Sequence, residues 1–238
     1  MIARQRPKYL DLFRIRLPLP ALVSILHRIS GTALFLFASA LLYLLQESLH
    51  SPESYAHFTT LTGHWLVKLF LIGMLWSFLH HFFAGLRFLL LDIHVASDLA
   101  ATRAMSGGTD CQSFAYRDPG GAAMVNRIVT GAHYGLKDWL VQRITALVMA
   151  VYVIGFVGIL LACPPQRYEA WRSLFGNPIM RIATALFFIS LFWHAWLGVR
   201  DILMDYVKPT GVRLGLEVAV LLVLAGYAVW AVQILWSL

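Results

Sequence analysis

Charge is what this chain of 238 residues has least of. Only 13% of it is Asp, Glu, Lys or Arg, where soluble domains carry roughly 25%. Apolar residues make up 59% and the mean hydropathy is +0.70. A soluble helical domain of this composition would lack the polar surface to face water. Cysteine is nearly absent too. Cys111 and Cys163 form neither a C-x-x-C pair nor a C-x-x-C-H haem-attachment motif, so any haem must be held without a covalent bond. A cleavable signal peptide is also missing. The first apolar run starts only after Pro20 and no small-residue cleavage site follows, which marks a retained first span. No polar domain with a basic face is present to bind nucleic acid. The net charge of +7, from 19 Lys+Arg against 12 Asp+Glu, therefore reflects cationic loops on one side of a membrane.

What the chain does have is long hydrophobic runs. Spans are expected at roughly 21–45, 63–91, 140–162, 179–204 and 213–236. Each is near the ~20 residues needed to cross ~30 Å of hydrocarbon, and each must be helical to satisfy its own backbone there. The segment before the first span carries Arg4, Arg6, Lys8, Arg14 and Arg16, and the 46–62 loop carries no Lys or Arg. The 92–139 connection carries Arg103, Arg117, Arg127 and Lys137. Lys208 and Arg213 follow the fourth span, and Arg167 and Arg172 in the 163–178 loop dissent weakly. This pattern predicts a cytoplasmic N-terminus and an outer C-terminus. Residues 105–123 are polar and Gly-rich and read as a linker. It divides a two-span half, 1–104, from a three-span half, 124–238. Met124 follows directly and resembles an initiator methionine.

The halves repeat one another. His81, Gly85, Arg87 and Asp92 match His194, Gly198, Arg200 and Asp205 as H-x3-G-x-R-x4-D. Arg28-Ile29-Ser30 and Arg143-Ile144-Thr145 open the preceding spans. Each copy goes out and returns, so the two share one orientation. The expected fold is an all-α transmembrane bundle whose two-helix repeats are related by a pseudo-twofold axis along the membrane normal, with a site between the copies.

The chemistry follows from depth. His81 and His194 each lie eleven residues before an aspartate at the membrane boundary. That is ~16 Å along a helix, near the bilayer midplane. Ionisable residues there are costly and mark function. Two facing imidazoles are axial ligands for a haem iron, and the glycine at i+4 shares the histidine's face and would leave room beside its ring. The alternative for each histidine is a packed polar core residue, and for each H-x3-G a small-residue helix contact. His27 and Arg28 stand where haem propionates would need cations, and Arg143 is a similar candidate or a snorkelling side chain. His80 faces elsewhere; His50, His57, His64, His94 and His133 read as loop residues.

Ser24-Ile25-Leu26-His27-Arg28-Ile29-Ser30-Gly31, with the His81 motif, resembles the large cytochrome b anchor subunit of bacterial succinate dehydrogenase. Asp138 to Arg143, the His194 motif and Asp205-Tyr206-Val207-Lys208-Pro209 resemble the small anchor subunit. The resemblance implies one haem b between His81 and His194, with His27 as a propionate contact. It implies a ubiquinone site at Ser24, Arg28, Asp205 and Tyr206. It also implies a flavoprotein and an iron–sulfur subunit as partners, in a bacterial inner membrane. The chain departs from that pattern in three ways. Two subunits are joined, the large subunit's third span is replaced by the linker, and Phe88 and Lys137 stand where some members have histidine. With only two spans, the first half ends on the side where the second half's basic entry segment belongs. A fumarate reductase-type anchor, a haem-free structural anchor and a transporter are the competing readings. The last would need broken helices lining a polar path, and none is evident.

Overall fold

The computed structural model describes residues 19–92 and 132–238. The basic N-terminal segment, the 105–123 linker and His94 lie outside the described residues, as does the side chain of His133. Among the described residues there are eight helices and no strand. They are α1 (Leu19–Leu36), α2 (Ala38–Leu49), α3 (Pro52–Gly63), α4 (Trp65–Asp92), α5 (Ala132–Ala162), α6 (Tyr168–Gly176), α7 (Pro178–Tyr206) and α8 (Thr210–Trp236).

Four of these, α4, α5, α7 and α8, are each long and apolar enough to cross a membrane. Counted as one span, α1 and α2, which meet at a 50° bend, make a fifth. The bend falls at Phe37, which leaves helical geometry at φ −99°, ψ 9°. The bonds from Phe37 N to Ala33 O and from Leu41 N to Phe37 O persist across it. The Phe37 ring docks edge-on against Phe70 of α4, 5.3 Å between centres. Large apolar side chains point outward along every span; Leu69, Leu161 and Ile182 are each more than 60% exposed. Lipid is the solvent that such a surface needs.

Two connections that the sequence reading left as loops are helical. Ser51 caps α3 by accepting from Ser54 N, while the Ser54 hydroxyl accepts from Ser51 N, and Pro52 occupies the first turn. The short α6 packs under α2: Trp171 Nε1 donates to Ser48 Oγ and the Tyr168 hydroxyl to Leu49 O. Asn177 then caps α7 by accepting from Ile179 N and Met180 N, with Pro178 at its first position. The main buried core sits at this end, where Leu42, Leu49, Phe175, Met180, Ala231, Ile234 and Leu235 converge from α2, α6, α7 and α8. That packing leaves α1, α4, α5 and α7 to enclose the middle of the bundle and the opposite end, which holds Arg28 and Asp205.

Candidate functional site

The repeat is visible as a pair of crossed ion pairs. Arg28 of the first half donates from Nη1 to Asp205 Oδ2 of the second half at 2.8 Å. Arg143 of the second half donates from Nε to Asp92 Oδ2 of the first half at 2.6 Å. In the repeat Arg28 corresponds to Arg143 and Asp92 to Asp205. Each half thus supplies the arginine to one pair and the aspartate to the other, as a pseudo-twofold axis between them requires.

The two sides of that axis differ. Arg28 also reaches the Tyr206 hydroxyl at 3.4 Å. Arg28 and Tyr206 line one wall of a cleft of about 390 Å³, together with Ile29, Thr32, Phe37 and Ile202. The cleft is apolar apart from these few groups. Ser24 sits one helical turn from Arg28 on α1, outside the residues that line the cleft. On the other side, Trp139 occupies the position equivalent to Ser24, and the Arg143 guanidinium lies over its ring at 5.2 Å. The residue after Asp92 is Ile93 where the other repeat has Tyr206. One copy keeps a tyrosine hydroxyl beside an open cleft; the other sets an indole against its arginine.

Three imidazoles meet between the repeats. His81 on α4 and His194 on α7 have ring centres 6.2 Å apart with planes at 89°. His27 on α1 stacks on His81 at 4.1 Å with planes 10° apart. Packing rather than the i+4 glycines positions these rings. A Cβ added to Gly31 would lie 2.8 Å from His81 Cε1. A Cβ on Gly85 would meet only His27 Nε2, at 3.8 Å, and nothing lies within 4 Å of one on Gly198. Gly198 therefore leaves open space one turn from His194, while Gly31 is the close contact.

Hydrogen-bond partners fix the tautomers. His81 Nδ1 lies 3.1 Å from the carbonyl oxygen of His27. A carbonyl only accepts, so His81 Nδ1 carries the proton. His194 Nδ1 lies 3.3 Å from Thr145 Oγ1. The threonine hydroxyl's one hydrogen goes to Val141 O at 2.7 Å, so it accepts from His194 Nδ1. Both histidines therefore have Nε2 as the unprotonated nitrogen. His27 Nε2 is buried without a partner among the described residues. His80 stacks instead on Trp76, 5.6 Å between centres. At the far end His57 pairs with Glu47 at 2.8 Å. Among the described residues, no three His, Cys, Asp or Glu side chains converge to hold a bare metal ion.

Of the residues singled out in the sequence, His27, His81 and His194 come together at one level, and Arg28, Asp205 and Tyr206 at the next. Asp205 is engaged by Arg28. Arg143 is engaged by Asp92. The sequence reading assigned no role to Gly31 or Thr145. The signal available for both was their place in the two repeated openings, R-I-S-G and R-I-T-A.

These features define a multi-pass helical membrane subunit built from two fused repeats that share a buried histidine cluster. The sequence pattern of one family, described as "Succinate dehydrogenase/Fumarate reductase transmembrane subunit", matches the chain twice, over residues 3–109 and 124–230. The chain belongs to that family. It is 46% identical over 102 residues to a succinate dehydrogenase hydrophobic membrane anchor subunit of Coxiella burnetii, covering 43% of this chain and 89% of the relative. It is 43% identical over 91 residues to a succinate dehydrogenase cytochrome b556 subunit of the same organism, covering 37% and 72%. A cytochrome b556 subunit of Paracoccus denitrificans is 36% identical over 77 residues, covering 32% of this chain and 59% of that one. This chain thus joins in one polypeptide what its relatives carry as two.

Proposed function

We propose that the chain is the membrane anchor of a succinate:ubiquinone oxidoreductase. It holds one haem b between His81 and His194 and offers a quinone-reducing site at Arg28, Asp205 and Tyr206, with Ser24 one turn away. The observation that carries the haem reading is the pair His81 and His194, imidazoles from different repeats with ring centres 6.2 Å apart and Nε2 left unprotonated on each. These two residues would hold the iron of one haem between the repeats.

The residues present fit such a group. The donor set is two neutral imidazoles, each with its other nitrogen hydrogen-bonded, as metal-ligating histidines almost always are. His27 adds a buried nitrogen without a partner, and Gly198 adds open space. Arg28, and Arg143 within electrostatic reach of His194, are cations for the group's carboxylates. When bound, a haem supplies a one-electron carrier inside the membrane. His81 and His194 hold it from two repeats, so the cofactor also ties the halves together.

Reduction of a quinone to a quinol takes two electrons and two protons. The electrons come from an iron–sulfur subunit docked where Arg28, Asp205 and Lys208 face the aqueous boundary. A flavoprotein behind it oxidises succinate. The Tyr206 hydroxyl donates to one quinone carbonyl. Arg28 stays protonated and favours the negative charge that develops on the ring. Asp205 holds the Arg28 fork in place. The apolar cleft excludes water from the ring and takes the start of its tail. In this reading the Arg28 end is cytoplasmic and the chain lies in a bacterial inner membrane. Residues 105–123 form a linker between a large-anchor-like half and a small-anchor-like half.

The test uses the complex in membranes. His81→Ala and His194→Ala should each abolish or shift the reduced-minus-oxidised b-type spectrum. Tyr206→Phe should keep that spectrum and keep succinate oxidation with a soluble acceptor, while quinone reduction falls sharply. A complex without a b-type signal would leave a haem-free structural anchor. The Ser24/Arg28 and Asp205-Tyr206 motifs favour succinate oxidation over a fumarate reductase-type anchor running the reverse reaction.

A further inference from the structure

A side-chain oxygen meets the ring of only one of the two candidate haem ligands. His81 points Nδ1 at the backbone carbonyl of His27, which no substitution removes. His194 points Nδ1 at the side-chain oxygen of Thr145, with the backbone carbonyl of Gln142, the counterpart of His27 in the repeat, also in hydrogen-bonding reach of the ring. Thr145 lies in the spanning part of α5 and is 7% exposed. Its hydrogen is committed to the backbone of its own helix, to Val141 O at 2.7 Å with Gln142 O at 3.1 Å. The lone pair left over faces the imidazole. The equivalent residue in the first half, Ser30, is also buried and also donates to its own helix, to His27 O at 3.0 Å. Its oxygen takes no bond from His81, whose proton goes to that same carbonyl. The repeat therefore keeps a hydroxyl at both positions but uses it as the histidine's acceptor in only one.

We propose that Thr145 is a positioning residue for His194. Beside the Gln142 carbonyl it accepts from the Nδ1–H of the ring, which limits the ring's rotation and makes Nε2 the more basic nitrogen. The proposal rests on the haem reading above. A ligating histidine gains basicity when its other N–H is hydrogen-bonded, and losing such a partner typically weakens metal binding 10- to 100-fold. A more basic ligand favours ferric over ferrous iron. Removing the acceptor should therefore raise the haem's reduction potential. Ser30 should act the other way and weakly. Without its hydroxyl, the His27 carbonyl serves His81 alone and accepts from it more strongly.

The test is a set of substitutions in the assembled complex in native membranes. It reads the b-type spectrum, the haem midpoint potential and the low-spin paramagnetic signal of the oxidised haem. Thr145→Val keeps the shape and removes the hydroxyl. A tenfold loss of preference for the ferric form would raise the potential by about 59 mV for a one-electron couple. Thr145→Ser keeps the hydroxyl and should restore the wild-type potential and signal. Ser30→Ala should lower the potential slightly or leave it unchanged. Haem lost in Thr145→Val but kept in Thr145→Ser supports the proposal equally. A wild-type potential and signal in Thr145→Val would overturn it, and so would loss of haem in both Thr145 variants, because shape rather than the hydroxyl would then decide. If the unsubstituted complex gives no b-type spectrum, the haem reading itself falls and takes this proposal with it. A normal spectrum that is insensitive only to Thr145 sinks this proposal alone.

Discussion

The rings of His27 and His81 lie face to face, 4.1 Å between centres and 10° from parallel, although they come from different helices and 54 residues separate them in the chain. Gly31, one turn above His27, makes this possible. It leaves the space that the edge of His81 occupies, and the His27 carbonyl then receives the proton of the same ring. One turn of α1 thus grips His81 from three sides.

Gly31→Ala should therefore disturb His81 more than its size suggests. The added Cβ would sit 2.8 Å from His81 Cε1, and the ring is held by stacking and by its Nδ1 bond, so it cannot simply turn away. Overpacking of this kind costs about 1–3 kcal/mol. The expected result is reduced haem content or a shifted b-type spectrum. Gly73→Ala in α4, where nothing lies within 4 Å of the added atom, should leave the spectrum unchanged. Equal effects from both would contradict the close contact.

The Arg28–Asp205 pair is about half exposed on both sides. Such a pair stabilises a fold by no more than about 1 kcal/mol, so under the proposed function its effect should be on quinone reduction rather than on stability. Arg28→Lys keeps the charge and loses the guanidinium whose Nη1 meets both Asp205 and Tyr206. Quinone reduction should fall on the order of 10²-fold with haem content unchanged. Asp205→Asn should lose less, and the double variant should lose no more than Arg28→Lys alone, because both act on one guanidinium. Additive losses would separate the two residues.

Arg143–Asp92 is the more buried of the crossed pairs, with both side chains about a quarter exposed. It joins the last turn of α4 to α5 across the two halves. Asp92→Asn should lower the thermal stability of the detergent-solubilised complex. The loss expected for a hydrogen bond to a charged group is about 1.5–3 kcal/mol. Quinone turnover at permissive temperature should stay near wild type. A turnover defect as large as that of Arg28→Lys would show that this end also takes part in the chemistry.

Cys163 is exposed just past the end of α5, at the opposite end of the bundle from Arg28. A membrane-impermeant maleimide should label it from outside in spheroplasts, with the Arg28 end cytoplasmic. Labelling only after the membrane is opened would invert the orientation read from Lys and Arg.

The sequence alone determined the class of molecule and its repeat. Composition and run length set five helical spans, because a backbone in lipid has no other way to satisfy its hydrogen bonds. The duplicated H-x3-G-x-R-x4-D pattern put two histidines at one depth, because helical rise is constant. Even the Arg28 and Asp205–Tyr206 grouping followed from matching levels. Tertiary structure decided what depth cannot encode. The helices α3 and α6 are short, and no run length announces them. The bend at Phe37 involves neither proline nor glycine; the backbone departs from helical geometry where the ring meets Phe70. Which arginine meets which aspartate depended on how the halves face one another, and they cross. Which oxygen each histidine touches depended on rotations about helix axes, which no periodicity reports. Those rotations gave Gly31 to His81 and Thr145 to His194, and they set Arg143 over the Trp139 ring while Arg28 meets Tyr206 beside the cleft.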